Sequence, residues 1–336
     1  MKEGNANFIR KRVDNVTRDG ENIVKKIAYG PVPSRRLGQS MGINNIPPKI
    51  CTYSCVYCQL GKTLTMRVYR DDYYSIDEIV KSVQNKLNKA LKNQERIDYL
   101  TFVPDGEPTL DINLGDEIEV VKELGYKVAV ISNASLIGDE QVRYELSKAD
   151  WVSLKIDAVS PQLWKKINRP HRDLDVDQII NGIYNFSDLY LGELNTETML
   201  VDGINDGTEE LKKIAEKISD IGVDKSYISI PTRPPAEGWV NSPDEDNINE
   251  AYNIFRETGI DVEYLIGYEG NAFASSGNIR EDLLSITAVH PMRERQVKKL
   301  LSKTDDDWNS VQELIQEEKL IVTEYKGEKF YMRKLS

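Results

Sequence analysis

Short apolar runs alternate with amphipathic stretches along most of this sequence, and this alternation restricts the fold more than any other feature does. The runs are rich in β-branched and aromatic residues and are separated by segments of helical periodicity. Strands that alternate with helices are typical of a parallel sheet whose crossover connections are helices. The predicted strands are SMGIN (40–44), DYLTFV (98–103), KVAVISN (127–133), WVSLKID (151–157), ETMLV (197–201), YISIP (227–231) and VEYLIG (262–267).

Helix-start signals between these runs support the same pattern. Ser75 followed by Glu78 and Ser242 followed by Glu245 fit the capping box, and Pro161 suits a first helical turn. Six or seven βα units are too few for a complete eightfold barrel but enough for a partial one. The expected fold class is therefore α/β, a partial (β/α)6 barrel of the TIM type, with ligands gathered at the carboxyl ends of its strands.

The two ends of the chain depart from the barrel pattern. Residues 1–29 are charged and irregular, and we expect them to form an N-terminal extension without a chemical role. Residues 30–284 contain the barrel pattern. Residues 285–336 contain two short helical patterns followed by a hairpin that turns at Lys326 and Gly327, which predicts a small winged-helix-like C-terminal module.

Composition limits the class of protein. A chain of 336 residues with 40% hydrophobic content can bury a substantial core. Its net charge of −11 disfavours unspecific attraction to polyanions, although a local basic groove could still bind RNA. No apolar run approaches the ~20 residues of a membrane span, and the polar start MKEGNANFIRKR contains no apolar signal-peptide core. These features predict a cytoplasmic protein.

All three cysteines of the chain lie in one stretch of eight residues, CTYSCVYC, as Cys51, Cys55 and Cys58. An odd number of crowded cysteines cannot form a disulfide framework, so the thiols are predicted to be metal ligands. Three thiolates can bind zinc with a fourth ligand, or hold three irons of a four-iron cluster and leave the last iron open. The two histidines, His171 and His290, are distant in sequence. His171 is expected to be a loop residue and His290 a linker residue.

The spacing C-x3-C-x2-C after a strand, with Tyr57 before the third cysteine, resembles the signature of the radical S-adenosylmethionine (radical SAM) superfamily. The resemblance implies that Cys51, Cys55 and Cys58 ligate a [4Fe-4S] cluster whose fourth iron binds S-adenosylmethionine. It further implies reductive cleavage of that cofactor to a 5'-deoxyadenosyl radical, which abstracts hydrogen from a substrate. Such chemistry is oxygen-sensitive and needs an electron donor such as a ferredoxin or flavodoxin. A zinc-stabilised binding protein remains the alternative.

Other residues are candidates for binding the cofactor. The turn Asp105-Gly106-Glu107-Pro108 resembles the superfamily motif that receives the methionyl amino group, with Gly106 allowing close approach and Glu107 offering a carboxylate. The alternative is an ordinary turn with a solvated Glu107. The remaining candidates are Ser132 and Asn133 at the end of the third run, Ser153, Lys155 and Asp157 on one face of the fourth run, and Tyr57.

Three residues are candidates for binding the substrate. Arg35 lies beside Arg36, and a strand would send the two side chains to opposite sides, so one of them should reach an anionic group. Arg233 and Trp239 follow the sixth run in a proline-rich loop at the predicted rim. The alternative for the first stretch is a basic turn with two prolines, and the alternative for the second is an ordinary proline-rich turn.

A narrower resemblance concerns the substrate. PVPSRRLG, the cysteine stretch and ITAVHPMRE resemble a group of archaeal and bacterial radical SAM proteins classed with tRNA wyosine-base synthases. The wyosine synthases carry a further cysteine cluster towards the amino terminus, and this chain contains no such cysteines. The resemblance ranks RNA ahead of a peptide or a small metabolite as the substrate.

Overall fold

The computed structural model describes residues 27–265, 278–287, 291–304 and 306–334. Its main body is a curled sheet of eight strands in the order β1-β2-β5-β6-β7-β8-β9-β10. β1 is antiparallel to β2, and every other neighbouring pair is parallel. The strands are β1 (Ala28–Ser34), β2 (Gly38–Ile43), β5 (Tyr99–Phe102), β6 (Lys127–Ser132), β7 (Trp151–Lys155), β8 (Glu193–Met199), β9 (Lys225–Ser229) and β10 (Val262–Leu265).

Helices cover the outer face of this sheet. They are α1 (Ile76–Lys92), α2 (Leu114–Lys122), α3 (Glu140–Leu146), α4 (Pro161–Asn168), α5 (Val176–Ser187), α6 (Thr208–Ile221) and α7 (Glu245–Glu257). A 3-10 turn at Pro108–Leu110 precedes α2, and a small separate ladder joins β3 (Ile50–Cys51) to β4 (Thr65–Met66). The expected α/β partial barrel is confirmed. No helix in the described ranges is long and apolar enough to cross a membrane.

The alternation of side chains along the strands separates the core from the barrel interior. Val128 and Val130 of β6 and Val152 and Leu154 of β7 are fully buried among the helices. The intervening residues point inwards, where an apolar cluster fills one part of the barrel. That inner cluster consists of Leu37, Ala129, Trp151, Tyr227 and Leu265. Strands with one apolar outer face and a mixed inner face leave room for a polar site inside.

β1 was not predicted from the sequence, because its segment AYGPVPS contains two prolines. Proline cannot donate a ladder hydrogen bond and is therefore confined to edge strands and irregular positions. β1 is an edge strand of the sheet, and its pairing with β2 shifts register between Tyr29 and Val32, where Pro31 lies. The predicted N-terminal extension covers residues 1–29. Its first 26 residues lie outside the described ranges.

The helix-start predictions have different outcomes. Ser75 forms the expected capping box with Glu78 at the start of α1, and Pro161 occupies the first turn of α4. The predicted box at Ser242 is wrong. The side chain of Asp244 caps α7 by accepting from the backbone N–H of Asn247, while the Ser242 hydroxyl donates to the carbonyl of Pro231.

The C-terminal residues form a small second unit, called the C-terminal module below. It contains α8 (Ile279–Ile286), β11 (Met292–Arg293), α9 (Glu294–Leu301), α10 (Trp308–Gln316), β12 (Leu320–Tyr325) and β13 (Glu328–Arg333). The expected pair of short helices followed by a hairpin is present. The predicted boundary at residue 285 falls inside α8, and this helix packs with the module because Ile279 and Leu283 are buried in its core.

The C-terminal module contacts both sides of the open barrel. On one side, Val32 of β1 packs against the core of the module. On the other side, the Arg293 guanidinium and the Tyr325 hydroxyl donate to the carbonyls of Thr232 and Pro231, which follow β9. Because the edge strands β1 and β10 are not paired with each other in the described residues, the module spans the gap between them.

Candidate active site

A cavity of about 380 Å³ lies inside the barrel, and all three cysteines line it. Its wall combines the cysteine loop with inward-facing residues of the sheet and with the turn that joins β1 to β2. Cys51 ends β3, which follows β2 in the chain, so the thiols lie on the carboxyl side of the parallel strands, as expected for ligands of an α/β barrel. The structure therefore brings the three predicted metal ligands to one cavity.

Backbone hydrogen bonds fix the cysteine loop in place. Cys51 pairs with Met66 across the β3–β4 ladder. The N–H of Cys58 donates to the carbonyl of Cys55 at 3.1 Å, which closes a tight turn between these two ligands. The N–H of Val56 donates to the carbonyl of Ile167 in α4 at 2.9 Å. These hydrogen bonds on both sides of the loop hold the three thiols in a defined arrangement.

Two amide side chains donate to the cysteine sulfurs. Asn133 Nδ2 lies 3.5 Å from Cys51 Sγ, and Asn168 Nδ2 lies 3.5 Å from Cys55 Sγ. Such donors stabilise thiolate ligands and tune the metal that they hold. Asn133 was predicted at the site. Asn168 was missed, because an asparagine at the end of a helix is most often a simple capping residue.

Burial controls the protonation of the thiols. It raises the pKa of Cys51 well above its ordinary value, and it raises the pKa of Cys55 to about 12, with the nearby Asp157 carboxylate adding to the rise. Buried thiolates therefore need a cationic partner, and a bound metal deprotonates a coordinating thiol outright.

The donor set fits an iron–sulfur cluster. In the described ranges, no three His, Cys, Asp or Glu side chains are arranged to hold a single metal ion. A four-iron cluster does not require three side chains around a single ion, because each thiolate binds a different iron. Three thiols beside an open cavity, with amide donors behind two of them, are suited to a cluster with one open coordination position.

Gly106 lies where two backbone segments approach closely. A Cβ atom at this position would come within 2.0 Å of the carbonyl oxygen of Ile50, so only glycine fits. Gly106 also lines the cavity beside the cysteine loop. The turn thereby connects the strand that carries Cys51 to the end of β5.

The Glu107 carboxylate accepts hydrogen bonds from protein donors and is not part of the described cavity wall, in contrast to the direct contact with an ammonium that the sequence predicts. Oε1 accepts from Thr109 Oγ1 and Ser132 Oγ, each at 2.7 Å, and Oε2 accepts from the N–H of Asn133 at 2.7 Å. Glu107 and Ser132 are almost completely buried, and neither is among the described residues that line the cavity. Both residues tie the Gly106 turn to the end of β6.

Asp105 and Lys49 form a buried ion pair in the cavity wall. Lys49 Nζ lies 3.5 Å from Asp105 Oδ1, and each side chain is only 7% exposed. Within the described part of the chain, Lys49 Nζ and Asp105 Oδ2 have no hydrogen-bond partner. Burial raises the pKa of Asp105 to about 6 despite the opposing charge of Lys49. Lys49 was missed by the sequence analysis, although it directly precedes Ile50 and Cys51.

The predicted common face of Ser153, Lys155 and Asp157 is part of a polar network. Lys155 Nζ lies 3.2 Å from Glu197 Oε1 and 3.5 Å from Asp157 Oδ1. It also lies 4.9 Å from the ring centre of Tyr57, whose hydroxyl donates to Asp157. Tyr57 and Lys155 line the cavity, whereas Ser153 and Asp157 are not among the described residues of its wall and support it from behind.

Glu197 of β8 joins this network to Arg36 and was missed by the sequence analysis. Burial alone would raise the pKa of Glu197, but the cations of Lys155 and Arg36 outweigh it and hold the pKa well below its ordinary value. Arg36 also donates to Ser153 Oγ at 3.3 Å and lies over the rings of Trp151 and Tyr227. No local signal marks Glu197, because its importance depends on pairing across strands.

The predicted substrate residues differ in their placement. Arg35 and Arg36 both line the cavity, which corrects the expectation that they point to opposite sides, because they lie in the β1–β2 turn rather than in a strand. Arg233 also lines the cavity, and its Nη1 donates to Gln59 Oε1 at 2.6 Å. Trp239 is 49% exposed and is not among the described residues of the wall.

The histidines do not belong to the cavity wall as described. The His171 N–H donates to the carbonyl of Thr52 at 2.9 Å, and its Nδ1 lies 3.6 Å from Asp173 Oδ2, which is consistent with the expected loop position. His290 lies outside the described residues.

Comparison with known proteins assigns the chain to a class. The model of the radical SAM superfamily matches residues 45–218, so the protein is a radical SAM enzyme and its cofactors are a [4Fe-4S] cluster and S-adenosylmethionine. Within that class the chain belongs to the UPF0026 family. It is 46% identical over 311 residues to the UPF0026 protein of Methanocaldococcus jannaschii, covering 92% of this chain and 96% of that protein.

Two solved structures share the fold. A radical SAM methyltransferase from Sphaerobacter thermophilus matches with a TM-score of 0.52 and 15% identity, covering 68% of this chain and 66% of that one. A structure of TYW1 with a lysine-pyruvate adduct bound matches with a TM-score of 0.50 and 15% identity, covering 71% and 78%. At 15% sequence identity, these two matches show a shared fold and nothing further. The family assignment itself sets aside the alternative of a zinc-stabilised binding protein.

Proposed function

We propose that this protein cleaves S-adenosylmethionine reductively in the barrel cavity and uses the product to abstract hydrogen from a substrate. Cys51, Cys55 and Cys58 would hold the cluster. When bound, the cluster supplies one electron, and the sulfonium then breaks into methionine and a 5'-deoxyadenosyl radical. The observation that carries this proposal is the convergence of all three thiols on one cavity within the matched family region.

The residues around the thiols support the same function. Asn133 and Asn168 would hold the sulfurs of Cys51 and Cys55 in orientation through their amide N–H groups. Glu107, with Ser132, would position the Gly106 turn rather than touch the cofactor itself. These are positioning roles, because each acts on another protein group.

The Lys49–Asp105 pair would bind the amino acid end of S-adenosylmethionine. Asp105 Oδ2 is a buried acceptor for an ammonium, and Lys49 Nζ is a buried donor for a carboxylate. A buried ion pair separated by 3.5 Å is poorly compensated on its own, since desolvation opposes its attraction. A zwitterionic ligand would give each charge the hydrogen bond that it lacks.

The far wall of the cavity would face the rest of the cofactor or the substrate. Tyr57 and Lys155 line it. Asp157 accepts a hydrogen bond from the Tyr57 hydroxyl, and Ser153 accepts one from Arg36. The network with Glu197 keeps Lys155 charged and fixed in place. The C-terminal module would exclude water and oxygen from the open side of the barrel.

RNA remains the substrate class that we rank first, with a peptide or a small metabolite as alternatives. The ranking rests on the likeness to the proteins classed with wyosine-base synthases. Arg35 and Arg233, both in the cavity wall, are the proposed substrate contacts, because guanidinium groups suit phosphate. Trp239, which is exposed outside the cavity, is proposed as a further substrate contact at the rim.

Anaerobic reconstitution with iron and sulfide tests the central proposal. The wild-type protein should bind about four irons and show the visible absorption of a [4Fe-4S] cluster, and dithionite should drive formation of 5'-deoxyadenosine. Replacing Cys51, Cys55 or Cys58 by alanine should abolish both. Ser54→Ala, in the same loop but without a thiol, is the matched control and should keep both. Stoichiometric zinc with no iron would contradict the proposal.

Isotope transfer tests the substrate class. Reduced enzyme is incubated with deuterated cell extract that has been separated into RNA, protein and small molecules. Label should pass into 5'-deoxyadenosine from the RNA fraction. Binding to that fraction should weaken steeply with added salt, since phosphate contacts release counterions. Label arising solely from the small molecules would reverse the ranking.

A further inference from the structure

The loop between β9 and α7, residues 230–244, packs directly on the cysteine loop. We call it the β9–α7 loop. The backbone N–H of Glu237 donates to the carbonyl of Val56 at 3.1 Å, and Val56 lies between Cys55 and Cys58 in the chain. The sequence analysis placed this proline-rich stretch at the rim, with an ordinary turn as the alternative. The contact instead makes it part of the surroundings that hold the predicted ligands.

Two side-chain contacts join the same two loops. Arg233 Nη1 donates to Gln59 Oε1 at 2.6 Å, and Gln59 directly follows Cys58 in the chain. Lys62 Nζ lies 3.1 Å from Glu237 Oε1. Together with the backbone hydrogen bond, these contacts fall on the half of the cysteine loop that contains Cys58.

Glu237 also connects the cysteine loop to the end of α4. The Arg169 guanidinium, directly after α4, donates to the same Oε1 atom that faces Lys62. The neighbouring Asn168 is the residue whose amide lies 3.5 Å from Cys55 Sγ. The Glu237 side chain is 17% exposed, so water screens these contacts only in part. One carboxylate therefore joins two segments that both position thiols.

The β9–α7 loop is itself held firmly. Val240 is fully buried in the main core. On another side, the C-terminal module donates hydrogen bonds to the carbonyls of Pro231 and Thr232. Proline also occupies positions 234 and 235, and each proline restricts the backbone. A segment with few accessible conformations loses little entropy when it holds a neighbour in place.

The first half of the cysteine loop is held by other elements. Cys51 pairs with Met66 in the β3–β4 ladder, and its sulfur lies 3.5 Å from the Asn133 amide. Neither of these contacts involves the β9–α7 loop. Loss of the β9–α7 contacts should therefore affect Cys58 and leave Cys51 in place, which allows the two thiols of one molecule to be compared directly.

We propose that Glu237 and Gln59 are positioning residues that hold Cys58 in the site by joining the cysteine loop to the β9–α7 loop. In this role each acts on the cysteine loop and not on the cofactor. The proposal rests on the proposed function, because it treats Cys58 as a cluster ligand, and it adds the contacts that fix this ligand. Such contacts matter because a misplacement of about 1 Å in an active site can cost about a hundredfold in rate.

Alkylation of the apoprotein tests the proposal without any metal. The wild type, Gln59→Ala, Glu237→Ala and the double variant are treated with iodoacetamide, and tandem mass spectrometry follows each cysteine separately. Cys58 should react about fivefold faster in the double variant, because a protected thiol reacts when its surroundings open. Each single variant should change the rate in the same direction. The rate at Cys51 should stay within about twofold of wild type.

Steady-state kinetics of the reconstituted enzyme supply the second measurement. The double variant should keep about four irons, since all three thiols remain. Its kcat for 5'-deoxyadenosine with dithionite should fall by about tenfold, while the KM for S-adenosylmethionine stays within about twofold, because a misaligned centre can bind the cofactor but cleave it slowly. Glu237→Gln should behave nearly as wild type, since its Oε1 can still accept from Lys62 and Arg169.

Glu263→Ala is the matched control. It removes a carboxylate that lies 3.0 Å from Lys225 Nζ on the neighbouring strand, and Glu263 is not among the described residues of the cavity wall. The control should match the wild type in both measurements. Three results would overturn the proposal: an unchanged rate at Cys58 in the double variant, an equal acceleration at Cys51, or a Glu237→Gln variant as impaired as Glu237→Ala. Failure of the proposed function has a different signature, because the wild type would then form no 5'-deoxyadenosine, whereas the alkylation rates would be unaffected.

Discussion

The Glu107 carboxylate accepts hydrogen bonds from the protein itself. Four donors surround it: the backbone N–H groups of Thr109 and Asn133, and the hydroxyls of Thr109 and Ser132. Charge-assisted hydrogen bonds are stronger than neutral ones, and a buried group that loses a partner carries the full cost of desolvation. Glu107 thereby fixes the turn that carries Asp105 and Gly106.

Glu107→Gln should therefore lower stability. An amide cannot accept at both ends, so its N–H₂ group would face at least one of the present donors. The free energy of unfolding should fall by about 1–3 kcal/mol, measured by urea denaturation of the apoprotein. Glu209→Gln, at an exposed helical position where the Lys213 ion pair is lost, is the control and should cost far less than Glu107→Gln, because an exposed ion pair contributes little to stability. Unchanged stability in Glu107→Gln would contradict the positioning role.

Changes at Asp105 should affect cofactor binding, whereas the change at Glu107 should affect stability. Asp105→Asn and Lys49→Met each remove one charge of the proposed zwitterion site, and each should weaken S-adenosylmethionine binding by about tenfold or more. Iron content should remain as in the wild type, since neither residue is a thiol ligand. Equilibrium dialysis of reconstituted protein measures the affinity. Normal affinity in both variants would remove the pair from the binding site.

Some residues of the site could be predicted from the sequence, and others could not. The cysteine spacing and Gly106 were predictable, because metal ligation and close backbone approach restrict residue type directly. Lys49, Asn168 and Glu197 were not, because each acquires its role from a partner that is distant in sequence. Glu107 was identified as a candidate, but the motif alone does not show which way its carboxylate points or that Thr109, Ser132 and Asn133 surround it.

At the scale of single elements, a buried pair of acids lies beneath the turn that leads into α2. Asp111 and Glu117 are fully buried. Burial raises the pKa of both, and their mutual repulsion adds to the rise at Glu117. The pair is stable when it shares a proton, so the folded state binds more protons than the unfolded state does.

This pair predicts how stability depends on pH. Because the folded pKa values are raised, the contribution is present at low pH and is lost as the pH rises above the ordinary carboxyl range. The free energy of unfolding should be lower at pH 9 than at pH 6, by about 1–3 kcal/mol. Glu117→Gln, which keeps a donor without a titrating proton, should flatten this profile in urea unfolding. If the unfolding free energy of the variant depended on pH as steeply as that of the wild type, the pH dependence would come from other titrating groups.

The elements themselves were largely predictable. The seven parallel strands coincide with the apolar runs, because a strand buried on its outer face must repeat with a period of two. The exception is β1, whose prolines are incompatible with a central strand but acceptable at an edge. The inclusion of α8 in the C-terminal module also escaped prediction, since packing between segments leaves no local signal.

At the scale of the whole molecule, the C-terminal module acts as the side wall of an open barrel. Tyr325 and Lys326 hold its hairpin to Pro231 and Ser242. Removing residues 285–336 would cut α8 and expose its buried Ile279 and Leu283. Such a truncation should destabilise the protein, so point variants are the better probe of the module.

The double variant Tyr325→Phe, Lys326→Ala should loosen this wall. Both changes remove contacts between the module and the barrel while leaving the module core intact. The reconstituted cluster should then bleach several-fold faster in air, followed by the loss of visible absorption, because oxygen reaches the cavity more easily. Lys334→Ala, whose partner Glu318 belongs to the module itself, is the control. Equal bleaching rates would show that the hairpin contacts do not limit access.

The module follows the cysteine loop and the barrel strands in the chain, so it is synthesised after them. The cysteine loop is synthesised early, and the sheet that surrounds it follows. Domains fold from the amino terminus as they leave the ribosome. Until α8 to β13 have emerged, the flank of the barrel between β1 and β10 is uncovered. Closure of this flank therefore comes after the cysteine loop and the sheet around it have been made.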